Sequence, residues 1–197
     1  MNRGLALLSC VALLAGCSNP STSSTAYAEP GLFERLTLFC GKAFSGEVVS
    51  EDARDAAFTS QPLVMHVREC SDDEIRIPFH VGEDRSRTWV ITRLDEGGLR
   101  LKHDHRHEDG HEDVLTWYGG DTVQPGSVER AEFPADALSQ ALFEREGIPA
   151  SMANVWSITL TEDAFTYALD RPDRHFAARF DLTNSVDTPP APWGFED

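Results

Sequence analysis

The stretch Lys102 to Asp113, KHDHRHEDGHED, places four of the chain's seven histidines, His103, His105, His107 and His111, within nine residues and surrounds them with carboxylates. Neutral imidazole and carboxylate are ligands that Zn, Mn and Fe take from proteins, so this segment holds the ingredients of a divalent-metal site. Alternate residues of a strand share a face. Leu99, Leu101, His103, His105 and His107 therefore form one row, expected to face inward. Arg100, Lys102, Asp104, Arg106 and Glu108 form the opposite row, expected to face solvent. Glu108-Asp109-Gly110 suits a three-residue hairpin with glycine in the left-handed position. That turn sets His107 opposite His111, His105 opposite Asp113, His103 opposite Leu115 and Leu101 opposite Trp117. The candidate metal ligands are then His103, His105, His107, His111, Glu112 and Asp113, with Leu101, Leu115 and Trp117 lining a cavity below them. The opposing reading is a solvated hairpin tip with Asp109 and Glu112 as surface charges. Even then His103, set between Leu101 and Leu115, needs a hydrogen-bond partner or a metal.

The spacing His105-Arg106-His107, four residues, Glu112, six residues, Gly119 resembles the first cupin motif. That resemblance implies two histidines and one glutamate binding a divalent metal. The motif's leading glycine stands one residue early here, at Gly98, and the reading requires Glu112 to face inward, where the hairpin register turns Asp113 inward instead.

Other rows are read by the same alternation. Ile75, Ile77, Phe79 and Val81 form a core face, which leaves Glu74, Arg76 and His80 to solvent; His66 and Arg68 are placed outside in the same way. Arg85, Arg87 and Trp89 share a face that could hold an anionic ligand, with a solvated edge as the preferred reading. His175 is expected to be exposed.

These residues need a frame. Candidate strands are Lys42 to Ser50, Leu63 to Glu69, Glu74 to Val81, Thr88 to Leu94, Leu99 to His107, His111 to Tyr118, Val128 to Phe133, Val155 to Leu160, Phe165 to Leu169 and Phe176 to Leu182, joined by short turns rich in Asp, Gly and Pro. Helical turns are expected at Leu32 to Leu38, Asp52 to Phe58 and Ala135 to Glu146. About ten sequential hairpin-joined strands predict an all-β, antiparallel up-and-down barrel with one or two short helices, a closure that leaves no strand edge. The opening, Phe33-x-x-Leu36 followed by Cys40-Gly41-Lys42-Ala43-Phe44-Ser45-Gly46, resembles the calycin group of lipocalins, fatty-acid-binding proteins and nitrobindin-like barrels, where a short helix leads through a glycine into the first strand.

The N-terminus bounds where such a barrel would work. Arg3 followed by the apolar run Leu5 to Ala15 reads as a signal peptide. Leu14-Ala15-Gly16-Cys17 resembles the lipobox of bacterial lipoproteins, which implies diacylglycerol on the Cys17 sulfur after cleavage, and Ser18-Asn19 in place of an aspartate implies the outer membrane over the inner. The expected organisation is a lipoprotein signal peptide at 1–17, a flexible Ser/Thr/Pro tether at 18–31, a barrel domain at 32–184 and a Pro-rich tail at 185–197. With Cys10 discarded and Cys17 acylated, Cys40 and Cys70 remain as one pair in an oxidising compartment and are expected to form a disulfide; separate thiols or a thiolate metal site are the alternatives. Without residues 1–17 the chain carries 16 basic against 33 acidic residues, a formal charge of −17. Such a surface repels nucleic acid, and any membrane contact is expected through the lipid alone. No P-loop, dinucleotide-binding glycine turn, H-E-x-x-H or nucleophile elbow is present. The readings are a lipid-anchored envelope barrel that binds a small molecule, with or without a His-based metal site; a cupin-like enzyme using Zn, Mn or Fe; and a non-catalytic envelope lipoprotein whose partners use its surface.

Overall fold

The computed structural model describes Met1, residues 30–123 and residues 127–196. The signal peptide, the lipobox cysteine Cys17 and nearly all of the tether lie outside the described residues. Among the described residues eleven strands form one antiparallel sheet: β1 (Ala43–Val48), β2 (Leu63–His66), β3 (Glu69–Cys70), β4 (Glu74–Val81), β5 (Asp84–Arg93), β6 (Leu99–His105), β7 (Tyr118–Asp121), β8 (Arg130–Pro134), β9 (Val155–Leu160), β10 (Ala164–Arg171) and β11 (Arg174–Val186). Consecutive strands pair from β4 to β7 and from β8 to β11, β1 pairs with both β2 and β11, β2 pairs with β4, and β3 is a side rung on β4. The expected up-and-down barrel is therefore present, nearly closed.

The remaining gap lies between β7 and β8. There Gly119 O accepts from Asp136 N–H at 3.0 Å, and Gly119 N–H donates to Ser139 Oγ at 2.8 Å. A Cβ on Gly120 would lie 1.7 Å from Pro134 O, so the seam comes together only because that position has no side chain. Asp136 is also the N-cap of α3 (Ala137–Arg145), accepting from Ser139 N–H, and is ion-paired with Lys102 on β6 at 2.5 Å. One carboxylate thus starts the helix and ties it to the opposite side of the seam.

α1 (Leu32–Thr37) buries Leu32, Phe33 and Leu36 at one end of the barrel, where Glu34 pairs with Arg93 at the end of β5 and Arg93 lies over the Phe33 ring. The Cys40–Cys70 disulfide joins the segment after α1 to β3, as expected from the cysteine pattern. The other end is covered by α2 (Ala56–Thr59), α3 and a 3₁₀ turn at Pro149–Ala153. Between the two ends lies an aromatic core in which Trp89 stacks on Phe79 at 4.9 Å and on Tyr167 at 4.5 Å, with Phe165 and Phe180 beside it. Each such side chain contributes about 2–3 kcal/mol by leaving water.

The C-terminal tail crosses the outer face of the barrel. Trp193 N–H donates to Arg85 O at 3.1 Å, Arg85 donates to Ala191 O at 2.9 Å, and Phe195 lies beneath the guanidinium groups of Arg68, Arg76 and Arg106 at 5.3–5.9 Å. Three expectations of solvent exposure are overturned, that of Asp104 beneath this tail. Asp104 is 1% exposed and paired with Arg106 at 3.0 Å and Arg76 at 3.5 Å; His66 and His80 are 7% and 4% exposed. Alternation placed these residues outside correctly, but outside a strand is not solvent where another segment lies on it.

The expected strand from His111 to Tyr118 is a loop. The hairpin tip keeps the expected register, with His107 N–H to His111 O at 2.9 Å and Asp113 N–H to His105 O at 2.8 Å. Past Asp113 the pairing slips, so that His103 faces Tyr118 and Leu101 faces Gly120, in place of Leu115 and Trp117. The cause is local. Leu115 N–H donates to Asp113 Oδ1 at 2.7 Å, the backbone N–H of His105 donates to Thr116 Oγ1, and Trp117 adopts a left-handed φ of 56°. Side-chain acceptors take the ladder's donors and the chain bulges outward.

Candidate functional site

The barrel retains a cavity of about 290 Å³ at the end opposite α1. Its wall is aromatic: Trp89 from β5, Trp156 from β9, Tyr167 from β10 and Phe176 from β11, with Tyr118 and Phe143 alongside. The rows that supply it follow from alternation, since Phe165, Tyr167, Leu169 and Arg171 share one face of β10. β5 supplies Arg87 and Trp89 in the same way, so the arginine expected at a solvated edge lines the cavity.

His103 anchors the polar side. Its Nδ1 donates to Tyr118 O at 3.0 Å and its Nε2 accepts from the Tyr167 hydroxyl at 2.8 Å. A backbone carbonyl can only accept, which fixes the proton on Nδ1. Burial first, then the repulsion of Lys102 and His105, holds its pKa down at about 3 despite the opposing bond to Tyr118, so the ring is neutral. Burial likewise raises Tyr167 well above the usual phenol range and Tyr118 to about 12. His105 lines the mouth, where burial and then Arg87 bring its pKa to about 4. The histidine that needed a partner thus has two, and neither is a metal.

Three arginines stand around the cavity. Arg87 pairs with Asp84 at 2.5 Å and lies over the Phe58 ring. Arg174 pairs with Asp52 at 3.2 Å and with the fully buried Asp55. Arg171 donates from Nη1 to Ser151 Oγ at 2.8 Å, on the 3₁₀ segment, and to Asn154 Oδ1 at 3.3 Å, on the residue that caps it.

The six candidate metal ligands do not come together. His103 is buried against Tyr167. His107 is exposed, with Nε2 3.5 Å from Asp113 Oδ2, and His111 is exposed beside Asp109 at 3.2 Å. Glu112 lies on the outer side, accepting from Trp117 Nε1 at 2.8 Å and paired with Arg106 at 3.4 Å. The conflict between Glu112 and Asp113 is settled at the tip by the bridge between Arg106 and Glu112, which puts Glu112 on the arginine's face and leaves His105, His107 and Glu112 unable to form the cupin-like set. Among the described residues no group of three or more His, Cys, Asp or Glu side chains converges where a metal ion could sit.

Of the expected cavity residues, Leu115 lines it. Leu101 is fully buried in the core, and Trp117, displaced by the bulge, is 37% exposed on the outside. His175 is exposed as expected, paired with Asp170 at 2.7 Å. Sequence reading missed Tyr118, Trp156, Tyr167 and Arg171. The alternation of β10 carried a signal for Tyr167 and Arg171, whereas Tyr118 reached the cavity through the register slip. Comparison with protein-family models, curated proteins and solved structures gives no match to this chain.

Proposed function

We propose that the protein is a lipid-anchored envelope barrel that binds a small organic molecule in the cavity walled by Trp89, Trp156 and Tyr167. The observation that carries this reading is the cavity itself: about 290 Å³, aromatic on its walls, with a few fixed polar groups at His103, Asn154 and Arg171. Binding pockets combine these features, and this one stands near the lower end of their usual size. The neutral His103–Tyr167 pair presents an already satisfied polar wall, suited to holding a ligand in one orientation. The lipobox-like Cys17 supports the anchor. Residue 30 leads directly into α1, which lies at the end of the barrel opposite the cavity.

The test is native mass spectrometry of protein purified from the cell envelope. The expected result is a protein mass with a small organic adduct that is released by solvent extraction and lost in Trp156→Ala. A protein that carries no adduct, and whose tryptophan fluorescence no member of a metabolite library alters, would overturn the reading. Labelling with radioactive palmitate, expected in the native chain and absent in Cys17→Ser, tests the anchor separately.

A further inference from the structure

We propose that the ligand is a small organic anion whose apolar body lies against Trp89, Trp156 and Tyr167 and whose carboxylate is held by Arg171. This rests on the binding reading above and adds the chemical class.

Charge compensation separates Arg171 from its neighbours. Arg87 and Arg174 each have a carboxylate partner, Asp84 for the first and Asp52 with Asp55 for the second. The partners of Arg171 are a hydroxyl and an amide oxygen, both neutral, and both are engaged through Nη1. Among the described residues its Nε and Nη2 donors have no partner, and these are the two edges with which a guanidinium grips a carboxylate in a bidentate fork. No Asp or Glu is among the residues lining the cavity. The two histidines that line it are neutral at pH 7, so Arg171 supplies its uncompensated charge.

A second donor points to the same class. Trp156 stands on the cavity wall, and its indole N–H is buried without a partner among the described residues. A buried donor left unpaired is costly, and a ligand rich in acceptor oxygens would relieve it. The protein as a whole carries a formal charge of −16, which disfavours anions at its surface. An uncompensated arginine inside an aromatic cavity therefore discriminates: it admits anions that have enough apolar surface to enter and leaves inorganic anions outside.

Binding of 2-naphthoate and 2-naphthamide, which share one ring system and differ in charge, is measured at pH 7 by calorimetry and by quenching of Trp89 and Trp156. The naphthoate is expected to bind at least tenfold tighter than the amide. Arg171→Gln should weaken the naphthoate at least tenfold and leave the amide within twofold. Ser151→Asp, which gives Arg171 an internal carboxylate while keeping the arginine in place, should do the same and guards against a variant that merely misfolds. Equal affinities, or a naphthoate unaffected by either substitution, would overturn the anion assignment and leave the binding reading standing. Failure of both molecules to bind would count against both.

Discussion

His103 on β6 and Tyr167 on β10 meet across the barrel interior, imidazole Nε2 to phenol hydroxyl at 2.8 Å, joining two strands that are not neighbours in the sheet. The bond runs from the hydroxyl to the ring because Nδ1 already donates to Tyr118 O. Tyr167→Phe removes the donor and leaves a buried nitrogen unsatisfied. The expected loss is about 1–3 kcal/mol, read from urea unfolding, with the fold retained. An unchanged midpoint would show that the pair contributes nothing.

Acid should destabilise the protein before its carboxylates titrate. Burial holds His103 at about pKa 3 and His80 and His105 at about 4, each also pressed down by a neighbouring positive charge, whereas an unfolded histidine takes its proton near 6.5. Between pH 6.5 and 4 the unfolded chain therefore binds protons that the folded chain does not, and stability falls as pH falls. The urea midpoint should decrease from pH 7 to pH 5, less steeply in His80→Gln. A flat profile over that range would contradict the buried, neutral state of these rings. Loss of charged Glu34, held low chiefly by its bond from Arg93, adds to the decline only at more acidic pH.

The seam between β7 and β8 should tolerate no side chain at residue 120. Gly120→Ala puts a methyl carbon against Pro134 O, and the expected cost exceeds about 3 kcal/mol, with amide exchange accelerated in β7 and β8. Gly97→Ala is the control: its φ of 87° is strained for alanine, but open space surrounds it, and about 1 kcal/mol is expected.

Replacing Cys40 and Cys70 by serine releases a crosslink spanning 30 residues of sequence. The chain-entropy argument gives a loss of about 3–4 kcal/mol, visible as a lower unfolding midpoint that reducing agent no longer changes.

Chelation should leave ligand binding intact. The scatter of His103, His105, His107, His111, Glu112 and Asp113 gives no converging donor set among the described residues. Protein purified without chelator is expected to carry metal well below one equivalent. Stoichiometric Zn, Mn or Fe that disappears in His105→Ala/His107→Ala would restore the metal site.

The barrel was legible because the signals for strand and turn are local. Glu74–Val81 and Val155–Leu160 coincide with their expected bounds, and the Glu108-Asp109-Gly110 turn sets the register that its length requires. What failed was non-local or depended on a competing bond. Asp113 and Thr116 divert backbone donors and shift the pairing by three residues, which carried Tyr118 into the cavity and Trp117 out of it. The burial of Asp104 goes with a tail about ninety positions further along the chain, a distance over which periodicity says nothing. The arginines of the site fall in the same class: compensation of Arg174 by Asp55 and the lack of it at Arg171 are facts about spatial neighbours.

The segment after β11 folds back to clasp the middle of the chain. Phe195 gathers Arg76 from β4, Arg106 beyond β6 and Arg68 between β2 and β3, and Gly194 lies against Gly110 in the histidine hairpin. Removing residues 193–196 would take away the ring that lies against these three guanidinium groups and the backbone bond to Arg85, and would open the cluster in which Arg76 and Arg106 hold the buried carboxylate of Asp104.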